Sequence, residues 1–123
     1  MSADTHVCKN ILIVEDDEGI REALRMYLEF EGYQIHEACN GKEALEIVRS
    51  SDHLCLILLD LMMPIMDGWK FAESLESDGK FSHIPIVVCT AFSDHGNVIN
   101  ALAHLNKPVN MAVLLEIVQK HCA

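Results

Sequence analysis

Three short runs rich in branched aliphatic residues, Ile11 to Val14, Leu54 to Leu59 and Ile86 to Cys89, and a more mixed stretch, Tyr33 to Ala38, punctuate the chain. Each has the length of a strand, and the run from Leu54 to Leu59 is apolar at every position rather than at every second one. A strand without alternation is buried on both faces, which happens when helices cover both sides of a parallel sheet. Between the runs, apolar residues return at helical spacing: Ile20, Ala23, Leu24, Tyr27 and Leu28, then Ala44, Leu45, Ile47 and Val48. Gly32 after Glu31 marks a helix stop, while Asn40 and Asn110 stand where N-caps belong. A shorter strand at His104 to Asn106 and a last helix carrying Val113, Leu114, Ile117 and Val118 complete five strand–helix units. The pattern predicts a doubly wound α/β fold, in a single domain over residues 1–123 with an ordered core at about 9–122 and nothing left over for an effector domain.

Charge and cysteine usage then narrow the function classes. Nine Lys plus Arg against nineteen Asp plus Glu leave a formal net charge of −10, which repels nucleic-acid backbones and anionic lipid alike. No direct nucleic-acid or membrane partner is expected. The apolar runs are too short to cross a bilayer and Met1 to Asn10 lacks a signal-peptide pattern, so the expected location is the cytoplasm. Five cysteines at wide, irregular spacing suggest reduced, mostly buried thiols rather than a disulfide framework or a zinc site.

In open parallel sheets, ligands bind beyond the carboxyl ends of the strands. The residues that follow the apolar runs are therefore the ones to inspect: Glu15, Asp16, Asp17 and Glu18 after the first, Asp60 after the third, Thr90 after the fourth, Lys107 and Pro108 after the fifth. Packed carboxylates are costly unless a cation neutralises them, and an all-oxygen cluster selects a hard ion such as Mg2+. Lys107 adds a compact positive charge suited to a phosphoryl oxygen, and the Thr90 hydroxyl can bond another. Singly, each feature has a plainer reading. The acidic run suits a helix N-terminus with Asp17 as cap, Asp67-Gly68 an ordinary helix-starting turn, and Lys107-Pro108 a loop. Their joint placement at the strand ends is what points to a site.

Val14-Glu15-Asp16, then Leu58 to Pro64 around Asp60, then Asp67-Gly68, Thr90-Ala91 and Lys107-Pro108 together resemble the receiver domains of two-component response regulators. The resemblance runs from about Lys9 to the end of the chain. It implies a flavodoxin-like five-stranded parallel sheet in the order 2-1-3-4-5. It also implies Asp60 as phospho-acceptor, with Asp16, Glu15, Asp60 and the backbone carbonyl of Met62 holding Mg2+. Lys107 and Thr90 would contact the phosphoryl group, with Thr90 and His104 as the switch pair. The donor would be a sensor histidine kinase or a histidine phosphotransfer protein, with an effector downstream and a phosphorylation-dependent homodimer as one possible output. On this reading the chain is no enzyme beyond its own phosphorylation and dephosphorylation. Apolar Met62 and Phe92, two residues after the acceptor and two after the threonine, imply slow loss of the phosphoryl group.

Three other functions fit the fold class less well. A phosphate-independent interaction module would show loss of an acid or of the lysine. An aspartyl-phosphate hydrolase wants a second Asp where Met62 stands, and a flavin carrier would have its phosphate repelled by Glu15 to Glu18. Two departures from the receiver pattern stand out. The Thr90 to Lys107 interval is about five residues short, more than one helical turn, which predicts a short or irregular fourth helix. His104 occupies the place of the usual aromatic switch, where its charge would bring pH sensitivity. Met62, Met63 and Met66 are expected to fill core gaps, and Cys89 to behave as a small core hydrophobe.

Overall fold

The computed structural model describes residues 9–51, 53–91 and 100–122. Five strands, β1 (Asn10–Val14), β2 (Gln34–Ala38), β3 (Leu56–Leu59), β4 (Ile86–Thr90) and β5 (Ala103–Asn106), form one parallel sheet in the order β2-β1-β3-β4-β5. Four helices are present among the described residues: α1 (Glu18–Phe30), α2 (Gly41–Ser50), α3 (Gly68–Ser77) and α4 (Met111–His121). The expected short helix between β4 and β5 falls on residues 92–99, outside the described residues.

The non-alternating runs do bury both faces. On β1, Leu12 and Val14 join the apolar layer under α2 and α3, which includes Ala44, Val48, Phe71 and Leu75. Ile11 and Ile13 join the opposite layer with Leu24 and Leu28 of α1 and Leu114 and Val118 of α4. β3 divides in the same way, Ile57 and Leu59 to the first layer and Leu56 and Leu58 to the second, and all four are buried. Burying a Leu or Ile side chain is worth about 1.5–3 kcal/mol, so the central strands carry much of the driving force.

Each helix starts on a side-chain cap. Asp17 accepts from the Ile20 amide at 3.0 Å, Asn40 from Glu43 at 2.9 Å, Asp67 from Lys70 at 2.9 Å and Asn110 from Val113 at 3.1 Å. Gly32 ends α1 with φ +98°, a conformation open to glycine at little steric cost. The cysteine expectation needs correction: Cys55 and Cys122 are disulfide-bonded, leaving Cys39 and Cys89 as the free thiols among the described residues. Cys89, 3% exposed, is the core hydrophobe expected. The methionine expectation holds only in part. Met63 and Met66 pack against the α2–α3 layer, as does Trp69, but Met62 is 58% exposed.

Candidate metal and phosphoryl site

The strand registers decide which tips meet. Ile13 pairs with Leu58 and Val14 with Leu59, so β1 and β3 end flush and the next residues, Glu15 and Asp60, emerge side by side. The ladder continues one bond past each strand: the Asp60 amide donates to the Val14 carbonyl at 2.9 Å, and Glu15 to Ala38 at 3.0 Å. At the other edge Thr90 pairs with Asn106, and the Lys107 amide donates to the Thr90 carbonyl at 2.9 Å. Backbone hydrogen bonds thus deliver two acids, a threonine and a lysine to one end of the sheet.

There the side chains converge. The Lys107 ammonium lies 2.5 Å from Glu15 Oε1 and 3.5 Å from Asp60 Oδ1. Oxygens of Glu15, Asp16 and Asp60 all lie within 4.8 Å of one another, Glu15 and Asp60 buried and Asp16 exposed. Burial raises the pKa of Asp60, against the pull of the Lys107 charge and a hydrogen bond from the Met62 amide. Glu15 is raised by burial too, against hydrogen bonds from Lys107 and the Asp17 amide. For Lys107, burial works against the charge, but its contacts with Glu15 and Asp60 outweigh it and the pKa ends above the ordinary value. One ammonium among three clustered carboxylates leaves an excess of negative charge held by hard oxygen donors. That donor set fits a magnesium ion, which takes one or two carboxylates and keeps the rest of its shell for water and phosphate oxygens.

The remaining expected residues are placed as follows. Thr90 is fully buried at the end of β4. His104 sits half-buried on β5, its Cα paired with that of Val88. Phe92 lies outside the described residues. An apolar cleft of about 470 Å³ opens beside Lys107, lined by Ile20, Leu24, Pro108 and Met111 among others.

Two supports escaped the sequence reading. The Arg21 guanidinium donates to the Glu15 backbone carbonyl at 2.8 Å and pairs with Glu37 at 3.1 Å, bracing the β1 tip from α1. A Cβ on Gly68 would stand 2.5 Å from the Asp60 carbonyl oxygen and 2.8 Å from Leu61 Cα, so only glycine lets α3 begin this close to the β3 tip. The Asp67-Gly68 pair belonged to the motif that carried the resemblance, but taken singly it read as an ordinary turn, and the close approach of Gly68 to the β3 tip was not legible in it.

A family model for the response regulator receiver domain matches residues 11–119. The chain belongs to that family. As a response regulator receiver domain of two-component signalling, it is similar to the transcriptional regulatory protein SrrA of Staphylococcus aureus, 46% identical over 87 residues, which are 71% of this chain and 34% of SrrA. The chain therefore spans about a third of the length of that relative. Among solved receivers, it resembles the signal receiver domain of a histidine kinase from Syntrophus aciditrophicus at 32% identity and TM-score 0.84, covering 94% of this chain and 90% of that one. It also resembles the response regulator TrrA of Thermotoga maritima, solved in complex with Mg(2+)-BeF, at 35% identity and TM-score 0.81, covering 91% of this chain and 97% of that one. The flavodoxin-like topology agrees with these receiver neighbours. No helix among the described residues is long and apolar enough to cross a membrane.

Proposed function

We propose that Asp60 accepts a phosphoryl group from a phosphohistidine on a sensor histidine kinase or histidine phosphotransfer protein, and that the modified domain switches the binding of an effector. The observation that carries this reading is the Lys107 ammonium held between Glu15 and Asp60 at one sheet edge. The Mg(2+)-BeF complex of the similar TrrA receiver supports it.

Glu15, Asp16, Asp60 and the backbone carbonyl of Met62 would hold Mg2+. When bound, that ion supplies positive charge to phosphoryl oxygens in a loose transition state. The rest falls to the chain. A carboxylate oxygen of Asp60 forms the bond to phosphorus as the bond to the histidine nitrogen breaks, and the electron pair leaves on the imidazole. Burial keeps competing water away from Asp60, and the Met62 amide fixes its carboxylate. Lys107, fully protonated between two acids, stands ready to exchange Glu15 for a phosphoryl oxygen. Positioning and charge of this kind supply most of the catalysis in phosphoryl transfer. The cleft beside Lys107 offers apolar surface for the donor protein.

The new group takes the acceptor from one negative charge to nearly −2. Thr90, buried one backbone bond from Lys107, would hydrogen-bond a phosphoryl oxygen, and His104 on the neighbouring strand would follow it. Replacing His104 by Phe should remove the pH dependence of effector binding; unchanged dependence would take His104 out of the switch.

Intact mass after incubation with a small phosphodonor and Mg2+ tests the central claim. The expected result is a gain of one phosphoryl group that needs the metal and is absent in Asp60→Asn. A gain that survives Asp60→Asn, or no gain in the wild type, overturns it.

A further inference from the structure

Cys55 and Cys122 are 67 positions apart in sequence. The fold sets them together, Cys55 immediately before β3 and Cys122 at the C-cap of α4. Their α-carbons lie 5.7 Å apart and their sulfurs are bonded. That spacing sits within the roughly 4.4–6.8 Å a disulfide spans without moving the backbone. The pair closes the apolar layer under α1 and α4 at the end of β3 opposite Asp60, so it belongs to no part of the phosphoryl site.

Three features bear on how the pair would exchange with a reagent from solution. Cys55 is half-buried while Cys122 is 2% exposed, so a reagent from solution meets Cys55 first. The Cys55 sulfur also lies 3.2 Å from the Asn10 carbonyl oxygen, which gives a reduced thiol its acceptor without any rearrangement. Both redox states are thereby provided for. The two remaining described thiols, Cys39 and Cys89, are free, and burial pushes the Cys89 thiol up to about 12, which leaves it inert at neutral pH.

We propose that Cys55 and Cys122 form a reversible dithiol–disulfide site that exchanges with low-molecular-weight disulfides and sets how firmly α4 is fastened to the sheet. The Cys55 thiolate attacks one sulfur of the small disulfide and expels a thiolate, leaving a mixed disulfide on Cys55. The Cys122 thiolate then attacks the Cys55 sulfur, expels the second small thiolate and closes the protein disulfide. The two cysteines give up two electrons and two protons in all, and the reagent is reduced to two thiols. In a reducing compartment the pair rests open and closes under oxidative load. Closure ties the end of the helix that carries Leu114 and Val118 to the strand that carries Leu56 and Leu58. It also constrains the unfolded chain across a long loop, the usual source of disulfide stabilisation.

The test equilibrates the purified full chain in glutathione buffers of rising oxidised fraction, then alkylates it under denaturing conditions for intact mass and peptide mapping. Five titratable thiols in the reduced chain should fall to three, with a cross-linked pair of peptides containing Cys55 and Cys122. The melting temperature should rise by roughly 5–15 °C on oxidation. Cys55→Ser and Cys122→Ala should lose both effects, with circular dichroism confirming that they fold; if either fails to fold, the wild-type titration and its peptide map still decide. Five thiols at every ratio, a bond joining other cysteines, a bond that reduced glutathione cannot open, or a melting rise that persists in Cys122→Ala would each overturn the proposal.

Discussion

Lys107 places a single positive charge between two buried acids, Glu15 and Asp60, that are 92 and 47 positions away in the chain. Its stem is part-buried, so the charge is screened less than on an open surface. Lys107→Met should therefore lower the rate of phosphoryl acceptance by at least about tenfold, since a fixed charge at a reacting oxygen is worth that much or more. Mg2+ binding to the remaining acids should be kept, and a single-turnover assay beside a metal titration separates the two. Cys89 makes a second residue-level case. Burial raises its thiol pKa from 9.0 to about 12, so above pH 9 the unfolded chain sheds a proton that the folded chain keeps. Its contribution to stability is complete below pH 9 and is lost as pH climbs toward 12, at up to about 1.4 kcal/mol per unit. Urea midpoints measured from pH 8 to 10.5 should fall more steeply in the wild type than in Cys89→Ala. Asp60 and Lys107 stood out in the sequence because each directly follows a strand. Arg21 did not, because a basic residue in a first helical turn has many possible partners; it shares Glu37 with Arg25, and only the fold sets its guanidinium against the Glu15 carbonyl.

At the scale of elements, the turn from β3 into α3 is closely packed. Gly68 sits against the Asp60 carbonyl and Leu61, and Gly41 likewise against Met66, whose carbonyl oxygen accepts from the Gly41 amide at 2.8 Å. Between them Ile65 adopts φ +69°, a left-handed conformation costly for a β-branched residue. Gly68→Ala must push backbone rather than a flexible side chain, so it should destabilise the fold by about 1–3 kcal/mol, read as a shift of the urea midpoint. It should also weaken Mg2+ binding, because the carboxylate and the carbonyl expected to hold the ion flank the displaced turn. Helix caps and strand positions were readable from sequence, since capping chemistry and apolar spacing are local. Strand lengths were less so: the Leu54 to Leu59 run extends two residues before β3 begins, because apolar character marks burial and not hydrogen-bonded pairing. The exposure of Met62 was hidden for the converse reason, an apolar residue being placed where the turn directs it and not where its hydropathy would.

The whole molecule carries a formal net charge of −10, concentrated in part at a site where three carboxylates meet. Self-repulsion of that size destabilises the compact state, so raising NaCl from about 0.01 M to about 0.15 M should raise the melting temperature. Mg2+ at matched ionic strength should raise it further, by roughly 1.4 kcal/mol of stability at ten times the dissociation constant. Asp16→Ala should erase that excess while leaving the response to NaCl intact, because Asp16 is exposed and its loss costs the core nothing. The amino-acid sequence by itself determined the layers, the parallel sheet and the end of it where the acids, the threonine and the lysine gather, since apolar spacing selects the elements and a doubly wound sheet brings the carboxyl ends of its strands to one edge. Only the tertiary structure decided that Lys107 spans Glu15 and Asp60, that Arg21 braces the β1 tip, and that Cys55 reaches Cys122. Those encounters depend on strand register and on the seating of helices drawn from distant parts of the chain, quantities that no local pattern encodes.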